Sequence, residues 1–541
     1  MNPIKEARMK ISLNRHLGLA SALYLGVSTI AMLPLSASAQ DSTLVIARDI
    51  DINSLDPSRA WCDTCQIYMS NVYETLIGLD KDNKSLKPRL ATKWEANADQ
   101  SQFTFMLDPD AKFSDGTPVE AKDVKWSMER LENVKGGASY MMDSVKSIEV
   151  KDAHTLVVTL SGPNSEFLNI LTAPYTGIVN SKVAMANGAI ATPGADTGDK
   201  AESWFMQHSA GSGAYELVDY KPGEELRFKA NPHYKRTKVG VADIVIKQTK
   251  DSVTQAQQLE SGNVDVAMQI DPDTAKTIQA DTVTMETIPS YNFLYVALSP
   301  GAKDGGKLLT KEVRQAIGLA LDYDGIIDFT VGGAGKKIAS PIPNGFPGTD
   351  GLTLPQQNLE KAKELMKKAG HADGFELNDA FPNMNVYGVD MSLLNQKIQQ
   401  DLAKINIKVK LTPIEFSVWR DKVKSEGIAL TTLFFAPDYY GSAQYVQYFG
   451  MIKDSPWWNR AGGKRDASFT NPQTETVLTK ALSAPEAQKD GIYKDLAQQM
   501  IDDRIIIPVV SPDLVLAHGK NITGVRYSAC CNLMMDEIAR Q

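Results

Sequence analysis

The pattern of apolar and polar positions predicts a chain that mixes strands with amphipathic helices. Apolar residues at alternate positions predict a strand over 103–107, and short, mostly apolar runs predict strands over 44–47 and 156–160. A helical spacing of apolar residues predicts helices over 68–76, 312–321, 359–369 and 392–405, and a strand over 407–411 follows the last one. Helices and strands therefore alternate in the second half, which is typical of an α/β domain.

The first 39 residues have the pattern of a secretory signal peptide. Four basic residues come before a mostly apolar run over 17–33, and Ser36-Ala37-Ser38-Ala39 supplies the small residues that signal peptidase needs. We expect export and cleavage after Ala39. The alternative is a membrane anchor, which polar residues within the run and the cleavage pattern argue against. No cysteine lies at the cut, so we expect no lipid anchor.

Composition and charge exclude several classes of protein. Of 541 residues, 43% are hydrophobic and 23% charged, which argues against a disordered chain. Lys and Arg number 57 against 65 Asp and Glu, a net charge of −8, so we expect no nucleic-acid partner, because phosphate binding needs an excess of basic residues. Beyond residue 39 no run of about 18 apolar residues occurs, and we expect a soluble protein.

The chain has four cysteines, arranged as two close pairs: Cys62 with Cys65, and Cys530 with Cys531. In an oxidising compartment disulfides are the first expectation, with free thiols and a metal or redox site as alternatives. Adjacent cysteines chelate one tetrahedral metal poorly, and no histidine lies near either pair. The connectivity stays open; bonds between the two pairs would tie the beginning of the exported chain to its end.

The usual catalytic and cofactor motifs are incomplete. The frame G-x-x-x-x-G-K at 301–307 is followed by Leu308, where a phosphate loop needs Ser or Thr. There is no H-E-x-x-H, the six histidines are scattered, and Gly211-Ser212-Gly213 does not form a nucleophile elbow. We therefore expect no catalytic residues, no metal and no cofactor. Aromatic residues at expected loop positions instead fit a cleft for an organic ligand, although each could simply be a packing residue.

Several motifs in collinear order resemble the family 5 extracellular solute-binding proteins, the peptide/nickel-type binding proteins of ABC importers. The stretch from Leu90 to Arg130 resembles the family signature, and later segments resemble further family motifs over nearly the whole exported chain. These segments are Gly211 to Tyr215, Asn231 to Tyr234, Leu259 to Asp265, Val313 to Asp322, Leu359 to Gly370, Ile398 to Val409 and Ile506 to Pro508.

The resemblance implies an α/β fold of the periplasmic binding protein type, with two lobes joined by two hinge crossovers and an extra subdomain in the first lobe. It places the crossovers near Leu298 and Ser511, and it makes a link from Cys62 or Cys65 to Cys530 or Cys531 reasonable within lobe I. The implied divisions are the signal peptide at 1–39, lobe I at 40–80, 205–297 and 512–541, the inserted subdomain at 81–204, and lobe II at 298–511.

The resemblance also implies the function. A peptide or peptide-like solute would bind between the lobes, closure would bury it, and the loaded monomer would deliver it to the permease subunits of an ABC importer from the periplasm. An oligosaccharide, an opine or another small organic solute is the alternative ligand, and a nickel chelate fits less well because no histidine cluster occurs. An exported enzyme or a chaperone is a more remote alternative.

Ligand residues follow from the resemblance position by position. Oligopeptide binders hold the α-amino group with an Asp after a core strand, and Asp438 stands there; the alternative is an exposed turn residue. The loop 382–386, where dipeptide binders place an Arg for the carboxylate, contains none, and Asn385 is its expected ligand residue. The remaining expected ligand residues, each with packing as its alternative, are Trp61, Tyr140, Tyr291, Trp419 and Tyr439.

Overall fold

The computed structural model describes residues 43–279 and 281–541. The predicted signal peptide lies outside the described residues. Within the described ranges, no helix combines the length and the apolar character that a bilayer span requires.

The first part of the chain, up to residue 288, is mostly strands connected by short helices. Its strands are β1 Thr43–Arg48, β2 Ile77–Leu79, β3 Leu86–Pro88, β4 Ala91–Ala96, β5 Gln102–Leu107, β6 Val145–Val150, β7 Thr155–Leu160, β8 Tyr215–Lys221, β9 Glu225–Ala230, β10 Asp243–Gln248, β11 Val266–Ala267 and β12 Val283–Ile288. Its helices are α1 Asp63–Val72, α2 Ala121–Val134, α3 Phe167–Ile170, α4 Ser181–Ala186, α5 Ala195–Gly198, α6 Glu202–Phe205, α7 Ser252–Glu260 and α8 Pro272–Thr277.

The second part alternates helices with strands, as the sequence predicts, and short strands close the chain. The strands are β13 Phe293–Leu298, β14 Gly335–Lys336, β15 Phe375–Pro382, β16 Asn385–Val386, β17 Val389–Asp390, β18 Ile407–Ile414, β19 Leu430–Phe435, β20 Ile506–Pro512, β21 Leu514–Gly519, β22 Ile522–Thr523, β23 Tyr527–Ser528, β24 Asn532–Leu533 and β25 Ala539–Arg540. The helices are α9 Lys311–Ala320, α10 Tyr323–Val331, α11 Leu359–Lys368, α12 Met391–Ala403, α13 Phe416–Ser425, α14 Ala443–Phe449, α15 Pro456–Arg460, α16 Thr474–Ser483 and α17 Glu486–Asp503.

Two large sheets organise the molecule. The seven-stranded sheet of lobe I has the order β12-β21-β11-β1-β10-β9-β8, and the six-stranded sheet of lobe II has the order β14-β20-β13-β19-β15-β18. Strand β13 is buried along its whole length, as expected of a central strand covered on both faces. Strands β15 and β18 are parallel and are joined through α12, which is a βαβ unit.

The chain passes between the two sheets twice. It leaves lobe I after β12 and enters lobe II at β13, so residues 289–292 form the first crossover, and Asp513 alone separates β20 from β21 at the second. The boundary expected near Leu298 falls at the far end of β13, which pairs along its length with β19 of lobe II. The boundary expected near Ser511 lies two residues from Asp513.

A smaller sheet, β4-β5-β7-β6, lies within the region expected to be an inserted subdomain. The buried guanidinium of Arg130 in α2 attaches this region to the loop before α1. It donates to both carboxylate oxygens of Asp56 at 2.6 Å and to Asp199 at 2.9 and 3.1 Å. All three side chains are almost fully buried.

Most of the predicted elements are present, and one is displaced. The strands at 44–47, 103–107, 156–160 and 407–411 and the last three predicted helices are confirmed to within a few residues. The helix predicted over 68–76 instead spans 63–72, because the side chain of Cys62 caps its first turn by accepting from the Cys65 amide. All ten residues of α1 are buried, so no polar face marks where it begins.

Candidate functional site

A cleft with a volume of about 1390 Å³ lies between the elements of the two lobes. Lobe I contributes the loop before α1 and the first turn of that helix, and the inserted region contributes the segment around Tyr140. Lobe II contributes the C-terminal end of β19 and the helices α13 and α15. The loop at Gly136-Gly137 approaches the cleft closely, because a side chain at Gly137 would lie 2.8 Å from the Trp61 ring.

Asp438 lies at the centre of this arrangement, directly after β19, and only 2% of it is exposed. Gln66 of α1 donates to one carboxylate oxygen at 3.1 Å, and the Tyr140 hydroxyl donates to the other at 3.2 Å. These bonds join lobe II to lobe I and to the inserted region. Burial raises the pKa of Asp438 to about 7, which the two hydrogen bonds oppose. The alternative of an exposed turn acid is therefore wrong.

A pair of acidic residues lies at the start of α1. The backbone amides of Asp63 and Thr64 donate to the Asp51 carboxylate at 2.9 and 2.8 Å. Burial, and then the charge of Asp51, raise the pKa of Asp63 to about 7. Among the described residues Asp63 and Asp438 form no salt bridge, whereas Asp51 lies 3.9 Å from the buried Arg48 guanidinium. We call the three carboxyl groups of Asp51, Asp63 and Asp438, which line this end of the cleft, the acidic pole.

Aromatic rings form one wall of the cleft. Trp61 stacks on Tyr175 and on Tyr448, with ring centroids 5.4 and 5.8 Å apart, and meets the edge of Tyr140 at 5.8 Å. This wall lies beside the acidic pole because Tyr140 also bonds Asp438. Flat rings next to carboxylates provide apolar contact area together with acceptors for a cation.

The expected ligand residues divide into two groups in the structure. Trp61, Tyr140, Trp419 and Asp438 line the cleft. Tyr291, Asn385 and Tyr439 are not among its lining residues.

The second group lies in packing or interlobe contacts. Tyr291, in the first crossover, packs against Phe346 with centroids 5.0 Å apart, and Tyr439 is fully buried. Asn385 contacts lobe I through its backbone, since its carbonyl accepts from Gln269 at 3.3 Å. Ligand roles for these three residues remain predictions without a cleft position to support them.

Most of the cleft residues do not follow from the sequence, among them Asp63, Gln66, Tyr175, Tyr448 and Arg460. Asp63 and Gln66 lie one turn apart in α1, and polar residues inside a buried helix are a usable signal once the helix start is known. The other three come from separate segments that only the tertiary structure brings together.

Each cysteine pair forms its own disulfide. Cys62 is bonded to Cys65, and Cys530 is bonded to Cys531, so the connectivity left open by the sequence is within each pair, and the link between the pairs that the resemblance makes reasonable is not formed. The two regions nevertheless meet through hydrogen bonds, since Asn532 donates to Gln66 at 2.7 Å and Asn71 donates to the Leu533 carbonyl at 3.1 Å. No cluster of three or more His, Cys, Asp or Glu in the described ranges could hold a metal ion.

Comparison with curated proteins finds relatives over nearly the full length. The probable D,D-dipeptide-binding periplasmic protein DdpA of Escherichia coli is 27% identical over 514 residues, 93% of this chain and 94% of the relative. The glutathione-binding protein GsiB of Pectobacterium atrosepticum is 26% identical over 487 residues, 89% and 90% of the two chains.

Solved structures share the fold. The protein AgaA of Agrobacterium, in complex with agropinic acid, superposes with a TM-score of 0.78 at 23% identity, over 92% of this chain and 99% of that one. The dipeptide binding protein of a Pseudoalteromonas species, in complex with Met-Leu, gives 0.81 at 20% identity, over 92% and 100%. The expected two-lobe periplasmic binding protein fold is thereby confirmed.

The family model described as "Bacterial extracellular solute-binding proteins, family 5 Middle" matches residues 85–454. This match covers most of the chain and includes all but the first four residues of the inserted region, together with the first crossover, β19 and Asp438. The protein belongs to the family 5 bacterial extracellular solute-binding proteins.

Proposed function

We propose that this protein is the periplasmic substrate-binding subunit of an ABC importer, and that it captures a peptide or peptide-like solute between its lobes without chemical turnover. The observation that carries the proposal is the buried carboxylate of Asp438, which faces the cleft and lacks a cationic partner among the described residues. An ammonium group of the ligand would supply the missing charge and hydrogen bonds.

The mechanism we propose is closure about the two crossovers. Residues 289–292 and Asp513 would act as hinges, with 81–204 moving as a subdomain of lobe I. Gln66 and Tyr140 meet Asp438 only when the lobes are together, so a ligand that bridges them binds the closed form better and shifts the population toward it. The permease subunits would then receive the closed, loaded monomer.

The comparisons support a peptide-like ligand and leave a second candidate. The relatives are named for D,D-dipeptides and glutathione, and one structural neighbour holds Met-Leu. The AgaA neighbour holds agropinic acid, and the stack of Trp61 on Tyr175 and Tyr448 would also suit the carbon chain of an opine or a sugar.

The first test is to identify the ligand and remove its anchor. Mass spectrometry of the solute released from purified protein should give an amine-bearing peptide or conjugate, and incubation should return it unchanged.

Asp438→Asn should weaken binding of dipeptides and glutathione by at least about tenfold, as expected for a lost charge-assisted hydrogen bond. The matched control is Asp373→Asn, which changes an exposed acidic residue remote in sequence from Asp438. Unchanged affinity in Asp438→Asn would contradict the proposal.

A further inference from the structure

Two arginines on the lobe II wall of the cleft are held on aromatic faces. The guanidinium carbon of Arg460 lies 5.2 to 5.8 Å from the ring centroids of Trp457, Tyr448 and Trp419, and that of Arg420 lies 5.9 Å from the Phe416 ring. Phe416 stacks on Trp419 with an angle of 7° between the ring planes. The four side chains thus form a stack in which two arginines flank two rings, Arg460–Trp419–Phe416–Arg420, and this stack lines the cleft.

Most of the other buried or half-buried arginines in the described residues bond a carboxylate or a backbone carbonyl, which these two do not. Half-buried Arg504 also lacks such a partner there, but it does not line the cleft. Arg130 is neutralised by Asp56 and Asp199, and Arg465 donates at 2.7 Å to the carbonyls of Gly301 and Glu426. Arg460 donates only to the Tyr448 hydroxyl, and Arg420 donates to no partner among the described residues. Neither forms a salt bridge within that part of the chain, although a stacked guanidinium keeps its donor edge available.

The position of this stack relative to the acidic pole determines which charged groups of a ligand the cleft can bind. Tyr448 contacts Arg460 on one side and stacks on Trp61 on the other, and Trp61 leads through Tyr140 to Asp438. Burial raises the pKa of Tyr448, Arg460 lowers it, and Asp438 raises it, so both charges act on this one hydroxyl. An aromatic wall therefore connects the buried carboxylate of Asp438 with the guanidinium of Arg460 in the cleft.

We propose that Arg460, with Arg420 beside it, binds an anionic group of the ligand, and that the ligand is accordingly a zwitterion with an ammonium at the acidic pole and a carboxylate at the arginines. This inference rests on the proposed function and specifies its ligand class. A guanidinium held by stacking presents a flat pair of donors that matches a carboxylate. The two arginines would replace the carboxylate-binding arginine that the loop 382–386 lacks. A cationic site also disfavours a neutral oligosaccharide as the ligand.

The test compares acids with amides on the wild-type protein. L-alanyl-L-alanine, D-alanyl-D-alanine and glutathione, each beside its carboxamide, are titrated by calorimetry into protein freed of ligand. The acid that binds should do so at least about tenfold more tightly than its amide, the size expected for a charge-assisted bidentate contact. The opine mannopinic acid is titrated as well. If it binds more tightly than any peptide, the carboxylate that the arginines bind belongs to an amino-acid conjugate and not to a peptide terminus.

The variants locate the effect. In Arg460→Gln the acid-to-amide ratio should fall to about one, Arg420→Gln should reduce it partly, and Arg227→Gln, an exposed arginine on β9, should leave it unchanged. Arg420→Gln and the wild-type ratio keep the test decisive if Arg460→Gln does not fold. Equal binding of acid and amide by the wild type would overturn the inference and leave the proposed function intact, whereas failure of every amine-bearing probe to bind would overturn both.

Discussion

Among the individual residues, three buried carboxyl groups determine how the charge of the interlobe contact depends on pH. Asp438, Asp63 and Glu166 each have a pKa that burial raises to about 7. At neutral pH each therefore lies near its midpoint and is poised to respond to a cation or to a proton. Ligand charge and solution pH act on the same groups.

We predict that the ligand-free protein loses stability as the pH rises from about 4 to about 7. The unfolded chain releases the Asp438 proton near 3.8, whereas the folded chain holds it to about 7, so in that interval the folded state binds more protons and its free energy of unfolding falls with pH. Thermal unfolding at about pH 5 and about pH 8 measures the effect.

The Asp438→Asn variant separates this group from the rest. It lacks the ionisation, so its melting temperature should fall less between the two pH values than that of the wild type, while Asp373→Asn should behave as the wild type does. Affinity for an ammonium ligand should change in the opposite direction and increase with pH, because the carboxylate must be charged to bind it. Parallel melting curves for wild type and Asp438→Asn would contradict the assignment.

At the scale of the element, Arg130 fixes α2 to the loop that carries Asp56. We predict that Arg130→Gln lowers the free energy of unfolding by about 3–5 kcal/mol, because it leaves buried carboxylates without their partner. Chemical denaturation checks the value. Lys125→Gln, which removes the exposed pair with Glu129 on the same helix, should cost less than about 0.5 kcal/mol, and an equal loss in both variants would argue against burial as the cause.

The elements differ in how well the sequence specifies them. Helix α9 has a regular apolar face and a Thr310 cap, and α11 is followed by Gly370 at a φ of +81°, so local patterns suffice for both. Helix α1 is buried on every side, and its start depends on a sulfur that accepts from Cys65, so the apolar spacing alone misplaces it by five residues. The site shows the same limit: a motif identifies Asp438, whereas Gln66, Tyr448 and Arg460 reach the cleft only through the packing of distant segments.

At the scale of the whole molecule, the inserted region contacts lobe II through a second carboxylate, that of Glu166, in addition to the bond from Tyr140 to Asp438. Glu166 accepts from the backbone amides of Ser442 and Ala443 at the start of α14 and from the Tyr493 hydroxyl at 2.6 Å. In the closure that we propose, these contacts form only when the lobes come together, so Glu166 would stabilise the closed form even without a ligand.

We predict that Glu166→Gln shifts the ligand-free protein toward the open form. The amide loses one acceptor oxygen and the charge that favours the helix N-terminus, so small-angle scattering should give a larger radius of gyration than for the wild type, and ligand affinity should fall by about tenfold. Glu149→Gln, an exposed residue of β6, is the control. An unchanged radius of gyration would show that these contacts do not hold the lobes.

The position of β21 has a consequence for biosynthesis. This strand lies between β12 and β11 in the seven-stranded sheet, and the Arg540 guanidinium donates at 2.8 Å to the Thr43 carbonyl in β1. A nascent chain growing from its amino end can complete the βαβ unit of lobe II while its C-terminal segment is still inside the ribosome, but it lacks the strand that attaches β12 until residues 514–519 emerge. The first lobe to be translated is thus the last to be finished, which keeps the chain incompletely folded until synthesis ends.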